Sequence, residues 1–345
     1  MALGNWLGFQ VRAEAHKPRR PEAISLALQG GGSYGAFTWG VLDRLLEEEN
    51  LGFDAVSGTS AGAVNAVAFA AGLAEGSRAA ARECLERVWR RISDLAAFTP
   101  FGSEAALLAA DSSVISAALE FSTRLFSPYQ FNPLAVNPLR DVLAQEVDFE
   151  RLRAAAPVRL LIAATRVRDG RLRLFRDQDV TLDAVLASTC LPHLHHAVSI
   201  DGEWYWDGGY TANPPLVHLA VMSNATDVLL VQITPSEFDG RPTSSPQITR
   251  RLHQIAFNTP LLKELDELAT LKELSERRGV FALRFRRKLQ RLHLHRIAAQ
   301  DTVEGLDDAG GFSLDWTFLV GLRDAGRAAA ARWLDGGSVE SKERP

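Results

Sequence analysis

The amino-acid sequence predicts a three-layer α/β/α fold around a mostly parallel β-sheet. Short apolar runs typical of buried strands alternate with segments of helical periodicity, and glycine-rich turns join the first strands to the helices that follow them. The chain has 345 residues, of which 46% are hydrophobic and 23% are charged. This is the composition of an ordinary globular protein, and it excludes a wholly disordered chain.

The amino-terminal part of the chain follows the order strand, glycine loop, helix, strand, tight turn, helix. Residues 24–28 form a short apolar run, and apolar residues at helical spacing predict a helix over 34–49. Residues 53–57 form a second strand that ends at Gly58, and a helix rich in small residues begins near Ser60. This alternation favours a sheet that is covered by helices on both faces.

The later part of the chain contributes further strands and helices. The stretch 98–137 contains several prolines and aromatic residues, and we expect either a lid or a packed loop there. The apolar run 158–165 is the strongest buried-strand signal in the chain. The other predicted elements are a helix over 77–97, a hairpin arm over 171–175, a helix over 182–189, a hairpin over 199–206, a strand over 228–233 and a helix over 247–274 broken at Pro260.

No internal repeat or change in composition indicates a second domain. We expect one domain over residues 23–335, with a C-terminal helical extension from about residue 247. Residues 1–22 are predicted to form a charged leader, and residues 336–345 a polar tail.

Charge and cysteine content narrow the range of functions. The 38 Lys and Arg residues are balanced by 42 Asp and Glu residues, so the net charge of −4 gives no indication of nucleic acid as a partner. The two cysteines, Cys84 and Cys190, cannot form a disulfide framework, and we therefore expect a reducing, cytoplasmic compartment. No apolar run reaches the roughly 18 to 20 residues that a membrane span requires.

The first candidate motif is the glycine loop Gly30-Gly31-Gly32-Ser33-Tyr34-Gly35, which follows a strand and opens a helix. Such a loop gathers backbone N–H groups at a helix N-terminus, where they bind phosphate or stabilise an oxyanion. The loop also satisfies the dinucleotide-binding pattern G-x-G-x-x-G. That alternative fits less well because the acid it requires should end the second strand, whereas Asp54 lies at its start.

The second motif is Gly58-Thr59-Ser60-Ala61-Gly62, a G-x-S-x-G pattern between a strand and a helix. This is the context of a nucleophile elbow, which presents the serine hydroxyl at a helix start, where the helix dipole favours developing negative charge. The alternative is that Ser60 only caps the helix in a glycine-rich turn.

The third motif is Asp207-Gly208-Gly209, which follows the aromatic run Trp204-Tyr205-Trp206. Aromatic neighbours exclude water and raise the pKa of a carboxyl group, which suits a general base. The alternative is an exposed aspartate that only shapes a glycine turn.

Taken together, the three motifs resemble those of the patatin-like phospholipases. That family has an oxyanion glycine loop, a G-x-S-x-G serine soon after it, and a D-G-G or D-G-A aspartate far downstream. The segment 187–192 (ASTCLP) also resembles the helix end that precedes the aspartate hairpin in the family, and the resemblance extends from residue 23 to about 235. One position departs from it, because the family loop usually carries Arg or Lys where this chain has Tyr34. If a basic residue normally steadies the loop, Tyr34→Arg should be tolerated.

The resemblance implies a serine acyl hydrolase of the phospholipase A or lipid esterase type. Ser60 and Asp207 would form a catalytic dyad without a histidine, and the substrate would be a lipid or another acyl ester. Neither a metal nor an organic cofactor is expected. The implied oxyanion donors are Gly30, Gly31, Gly32 and Ser33, and the residues that support the motifs are Gly35, Gly58, Gly62, Gly208 and Gly209.

Two other functions stay open at this stage. An α/β-hydrolase esterase would combine Ser60 and Asp207 with a histidine. That fold normally separates its oxyanion loop from the serine by more chain than lies between Gly32 and Ser60. The second alternative is a catalytically weak module that binds lipids or acyl groups in the same pocket. The histidines that follow the aspartate are His218, His253, His293 and His295.

Two polar clusters have less specific interpretations. His193, His195 and His196 have no acid or cysteine at ligand spacing, so a loop near the active-site mouth is favoured over a metal site. The segment 277–296 holds eight Arg or Lys residues and no acid. One interpretation is a structural face that is solvated or packs inward. The other is a surface that binds peripherally to anionic membranes.

Overall fold

The computed structural model of the chain describes residues 21–98, 127–238, 240–276, 283–301 and 313–336. Nearly all of the predicted leader, the polar tail from residue 337 and most of the stretch 98–137 lie outside these residues. Among the residues described, no helix is long and apolar enough to cross a membrane.

The described residues include an eight-stranded sheet in the order β5-β6-β3-β2-β1-β7-β8, with β4 paired to β3. Strands β3, β2, β1, β7 and β8 run parallel to one another, whereas β4 and β6 each run antiparallel to β3. The strands are β1 (Ala23–Leu28), β2 (Gly52–Gly58), β3 (Arg159–Arg166), β4 (Leu172–Arg176), β5 (Val198–Ile200), β6 (Glu203–Asp207), β7 (Asp227–Gln232) and β8 (His293–Ala298).

Helices cover both faces of this sheet, which confirms the predicted fold class. Side chains of β1 alternate between the two layers: Leu26 packs with α1 and α2, and Ala27 packs with α8 and α9. The helices are α1 (Gly35–Leu45), α2 (Ala61–Ala74), α3 (Arg78–Phe98), α4 (Pro128–Phe131), α5 (Pro138–Glu146), α6 (Phe149–Ala155), α7 (Leu182–Ser188), α8 (Leu216–Met222), α9 (Ser245–Glu276), α10 (Leu283–Arg291) and α11 (Trp316–Leu334).

Helices α1 and α2 are buried on nearly every side because other helices pack over them. Helix α11 covers α1, and α3 covers α2. A Cβ atom added to Gly40 would lie 1.9 Å from the carbonyl oxygen of Arg323, so glycine is required where α1 and α11 cross. This tight packing explains why the sequence of α2 is almost uninterrupted in small apolar residues.

The C-terminal region differs from the sequence-based expectation in two respects. Helix α9 continues through Pro260 instead of breaking there, because Asn258 and Leu261 on either side of the proline are buried against the rest of the domain. The region after residue 247, expected to be only helical, also contributes strand β8, which pairs in parallel with β7. Its polar residues, among them His293 and His295, obscure the strand pattern.

Candidate active site

The three sequence motifs meet at the carboxyl end of the parallel strands. The glycine loop follows β1, and the Ser60 turn follows β2. Asp207 is the last residue of β6, which reaches the same region from the opposite direction because β6 runs antiparallel to β3. Ligands of open α/β sheets bind at this end of the strands.

Strand β3 determines how Ser60 and Asp207 are placed relative to each other. At Leu161 and Ile162, β3 pairs with both β2 and β4, so these two strands lie on opposite edges of β3. At Ala164 and Thr165, β3 pairs with both β4 and β6. Because a strand has only two edges, β2 and β6 share the edge opposite β4.

Strands β2 and β6 therefore approach each other end to end. The last pair of β2 joins Gly58 to Ile162, and the last pair of β6 joins Asp207 to Ala164. Two residues of a strand span about 7 Å, so the two strand ends face each other across a short gap. Ser60 follows Gly58 by two residues, and the gap therefore brings the serine turn next to Asp207.

Ser60 has a strained backbone conformation. Its φ of 54° and ψ of −124° lie in a region that residues other than glycine rarely adopt. The turn is held by the Ser60 N–H, which donates to Ser188 Oγ at 3.0 Å. A Cβ atom on Gly62 would lie 2.1 Å from the Leu28 carbonyl oxygen, so α2 begins in direct contact with the end of β1. A strained turn between a strand and a helix is the setting that a nucleophile elbow requires.

Asp207 is fully buried, and hydrogen bonds hold both its side chain and its backbone. Its Oδ1 accepts from the Gly209 N–H at 2.7 Å, and its backbone carbonyl accepts from Thr165 Oγ1 at 2.8 Å. Its backbone N–H donates to the Cys190 carbonyl at 2.7 Å. An exposed turn aspartate, the alternative interpretation of this motif, does not match this environment.

The glycine loop lies against the Ser60 turn. A Cβ atom on Gly30 would lie 2.7 Å from Ser60 Cβ, and Gly32 has a positive φ of 60°. The Gly30 N–H donates to Asn213 Oδ1 at 2.7 Å. Gly30 therefore shapes the loop instead of donating to an oxyanion as the sequence predicted, since its N–H is already committed to a side chain. Of the four oxyanion donors that the sequence predicted, the N–H groups of Gly31, Gly32 and Ser33 remain candidates.

The other supporting glycines also sit where a side chain would collide with a neighbour. A Cβ atom at each would lie within 3 Å of another atom of the site region. The added atom would collide with Ala61 Cβ at Gly35, with the Gly62 carbonyl at Gly58, with the Ala163 carbonyl at Gly208 and with the Phe257 ring at Gly209.

Buried amide side chains that the sequence analysis missed hold the loops together. Gln29 Oε1 accepts from the N–H groups of Ile233 and Thr234, both at 2.8 Å, and Gln29 Nε2 donates to Asn258 Oδ1 at 3.0 Å. Asn213 Nδ2 donates to the Phe257 carbonyl at 3.1 Å. Helix α9 is thereby attached to both the glycine loop and the Asp207 loop. The two residues of such a contact are up to 229 positions apart, so no local sequence pattern predicts these contacts.

Two tyrosines border the site in different ways. Tyr34 is only 7% exposed and packs near the Phe318 ring of α11, with ring centroids 6.4 Å apart. The expectation that arginine is tolerated there is therefore not supported, because the side chain belongs to the core. Tyr210 lies on the rim against Phe257, and partial burial together with the nearby carboxylate of Asp207 raises its pKa to about 12.

Asp54, the acid that a dinucleotide site would need, lies at the far end of the sheet from the glycine loop. Arg159 contacts both of its carboxylate oxygens at 2.6 Å, and the Asn224 N–H donates to it at 2.6 Å. Burial alone would raise the pKa of Asp54, but these hydrogen bonds lower it overall. Asp54 thus has a structural role at the amino end of β2.

The four histidines available for a triad lie on three different elements, His253 on α9, His218 on α8, and His293 and His295 on β8. His293 and His295 lie on β8, where His295 Nε2 is 2.8 Å from Asp227 Oδ1 at the amino end of the sheet. His218 lies on α8, and burial and the nearby Arg176 lower its pKa. His196 stacks on Tyr129 with ring centroids 4.0 Å apart. Within the described ranges, no group of three or more His, Cys, Asp or Glu residues could hold a metal ion.

The fold and these motifs define a three-layer α/β protein with a strained serine turn and a buried aspartate at the carboxyl end of its sheet. The model of the patatin-like phospholipase family matches residues 26–220, which is more than half of the chain. The protein belongs to this family.

Individual proteins match the chain either over a short segment or at low sequence identity. The chain is 42% identical over 69 residues to the uncharacterized protein YjjU of Escherichia coli, a match that spans 20% of this chain and 18% of that protein. It is similar to the structure of VipD from Legionella pneumophila, with 14% identity, a TM-score of 0.45, and coverage of 92% of this chain and 67% of VipD. For the type III effector ExoU the identity is 16% and the TM-score 0.36, with coverage of 93% and 54%.

Proposed function

We propose that the protein is a serine acyl hydrolase that cleaves acyl esters of lipids with a Ser60–Asp207 dyad. The observation that carries the proposal is the end-to-end approach of β2 and β6 on one edge of β3, where the strand ends that precede Ser60 and carry Asp207 pair with residues only two positions apart. Membership of the patatin-like phospholipase family supports a lipid as the substrate class.

Ser60 is the proposed nucleophile. Its strained turn holds the hydroxyl at the start of α2, where the helix dipole favours negative charge. Asp207 accepts the hydroxyl proton as the Ser60 oxygen attacks the ester carbonyl. The Gly209 N–H holds Oδ1 of Asp207, which fixes the orientation of the carboxyl group for this transfer.

The negative charge that develops on the carbonyl oxygen is stabilised by the amides of Gly31, Gly32 and Ser33. The leaving alcohol takes the proton from Asp207, and an acyl-enzyme remains on Ser60. Asp207 then removes a proton from water, and the resulting attack releases the carboxylic acid and returns the proton to the Ser60 oxygen. One carboxylate thus serves both half-reactions.

The test is kcat/KM on a soluble p-nitrophenyl ester for Ser60→Ala, Asp207→Asn and the double variant. Each single change should reduce kcat/KM by about 10³-fold or more, and the double variant should be little worse than Ser60→Ala because the two residues act as a unit. Ser199→Ala and Asp201→Asn are matched controls, since both residues are exposed on the same hairpin, and neither should reduce the rate.

Two further measurements separate the alternatives. Each histidine, changed singly to alanine, should leave most of the activity, and a histidine as important as Ser60 would replace the dyad by a triad. A fluorophosphonate probe should label Ser60 in the wild-type protein. An unlabelled Ser60 in folded protein would contradict the proposal and favour a lipid-binding module without catalysis.

A further inference from the structure

The amino half of α9 presents an apolar stripe to solvent. Four large apolar side chains there are exposed, and their spacing of four, three and seven residues places them on one face of the helix. Leu252 is the most exposed of them, at 60%. The stripe consists of Ile248, Leu252, Ile255 and Leu262.

Other residues of the same helical segment contact the loops of the candidate active site. Asn258 accepts from Gln29 beside the glycine loop, and the Phe257 carbonyl accepts from Asn213. The Phe257 ring lies 5.2 Å from that of Tyr210, three residues after Asp207. The stripe is therefore the outer surface of the element that holds both catalytic loops.

The charge on this part of the helix has one sign. Residues 245–263 contain Arg250, Arg251 and Lys263 and no acid, and the first acid is Glu264. An apolar helix face flanked by basic residues is typical of helices that lie in the interface of anionic lipid membranes. Arg251 is also part of the local structure, since its Nη2 donates to the Ser236 carbonyl at 3.3 Å.

The basic helix α10 lies at the other end of the sheet. Lys288 Nζ donates to the carbonyls of Val221 and Ser223, and Ser223 Oγ donates to Asp54 Oδ2 at 3.1 Å. Since Asp54 lies at the amino end of β2, a membrane that met α10 would be at the end of the sheet opposite Ser60. The part of the basic segment at 277–282 lies outside the described residues.

We propose that the amino half of α9 docks on the surface of an anionic lipid aggregate, with the apolar stripe in the acyl region and the basic residues at the head groups. This inference rests on the proposed function for the nature of the substrate. Docking by this surface positions the adjoining active site at the lipid from which an ester must enter. Burial of the stripe supplies the affinity, since apolar area removed from water contributes about 25 cal/mol per Å².

The matched variants are Leu252→Gln and Leu283→Gln. Both leucines lie on basic helical segments and are equally exposed, at 60% and 59%, but these segments lie at opposite ends of the sheet. Co-sedimentation with vesicles of phosphatidylcholine and phosphatidylglycerol is measured in the Ser60→Ala background, so that the lipid is not consumed. Leu252→Gln should weaken binding by about tenfold, whereas Leu283→Gln should not.

A label at the same two positions gives an independent measurement. Leu252→Cys or Leu283→Cys is coupled to a nitrobenzoxadiazole fluorophore, whose emission shifts to the blue in an apolar environment. The native Cys84 and Cys190 are buried, and burial raises the pKa of the Cys84 thiol to about 11, so the introduced thiol reacts first. Vesicles should shift the emission from position 252 but not from position 283.

Several results would overturn the inference. One is equal binding by both glutamine variants, another is a wild-type protein that does not sediment with vesicles. A third is a wild-type dimer in lipid-free solution that Leu252→Gln converts to monomer, which would assign the stripe to a second copy. The proposed function is judged separately, because hydrolysis of the soluble ester requires no lipid surface and vesicle binding requires no intact Ser60.

Discussion

The side chain of Asn213 holds the backbone of Gly30 in place. Asn213 Oδ1 accepts from the Gly30 N–H at 2.7 Å, although 183 positions separate the two residues. Gly30 in turn lies so close to Ser60 that a Cβ atom on it would be 2.7 Å from that of the serine. Asn213 also follows the Asp207 loop by a few residues. One amide side chain thus sets the relative position of the three motifs.

Asn213→Ala should reduce kcat on the soluble ester by about 10- to 100-fold, with a smaller change in KM. The residue does not act on the substrate; its loss lets the glycine loop shift away from Ser60, and loop amides stabilise the transition state more than the bound ester. The same change should lower the free energy of unfolding by about 1 to 3 kcal/mol, because the Gly30 N–H loses its partner. A folded variant with wild-type kcat would show that the contact has no part in positioning.

Gly30→Ala should abolish most of the activity, with a loss of about 100-fold or more in kcat/KM, the magnitude associated with a disrupted oxyanion hole. The added methyl group would collide with Ser60 Cβ and with the Thr59 carbonyl oxygen, each 2.7 Å away. Gly321→Ala on α11 is the matched control, since nothing lies within 4 Å of the added atom. It should keep full activity and raise the free energy of unfolding by about 0.5 to 1 kcal/mol.

Tyr34→Arg should destabilise the fold, because a charged group would replace a ring packed against Phe318 at a position that is 7% exposed. We expect the free energy of unfolding, measured with urea, to fall by about 3 kcal/mol. Tyr34→Phe keeps the ring and should lose about 1 kcal/mol or less. Equal stability of the arginine variant and the wild type would mean that the loop accommodates a basic residue as the family pattern suggests.

Glu264 should make stability depend on pH. Burial raises its pKa from 4.5 to about 7, partly offset by the hydrogen bond from the Val217 N–H. Because the folded state holds this proton more tightly than the unfolded chain, stability should fall as the pH rises from about 4.5 to about 7. The loss amounts to at most about 3 kcal/mol, since a pKa difference of one corresponds to about 1.4 kcal/mol.

Urea unfolding at pH 5 and pH 8 measures this effect. Glu264→Gln cannot ionise and should lose less stability between the two pH values than the wild type. Glu267→Gln removes an exposed neighbour whose charge raises the Glu264 pKa less than burial does, and should have a smaller effect. A Glu264→Gln protein with the same pH dependence as the wild type would rule out Glu264 as its source.

Local patterns were sufficient to predict most of the fold and the candidate residues. Periods of two and 3.6 residues locate strands and helices, and the glycine-bounded turns at Ser60 and Asp207 are visible as short motifs. Predictions from local patterns were wrong where tertiary contacts override the local conformational preference of the chain. Helix α9 passes through Pro260 because both flanks are buried, and β8 was hidden by its polar side chains.

The sequence by itself determined the order of the elements, the class of fold and the motifs, because each depends on residues only a few positions apart. Only the tertiary structure decided that β2 and β6 share one edge of β3, that Asn213 takes the N–H of Gly30, and that the basic helix α10 lies away from Ser60. The contacts that establish these relationships join residues 43 to 183 positions apart. They depend on which strands pair and in what register, and strand pairing is set by burial of the whole sheet between its two layers of helices.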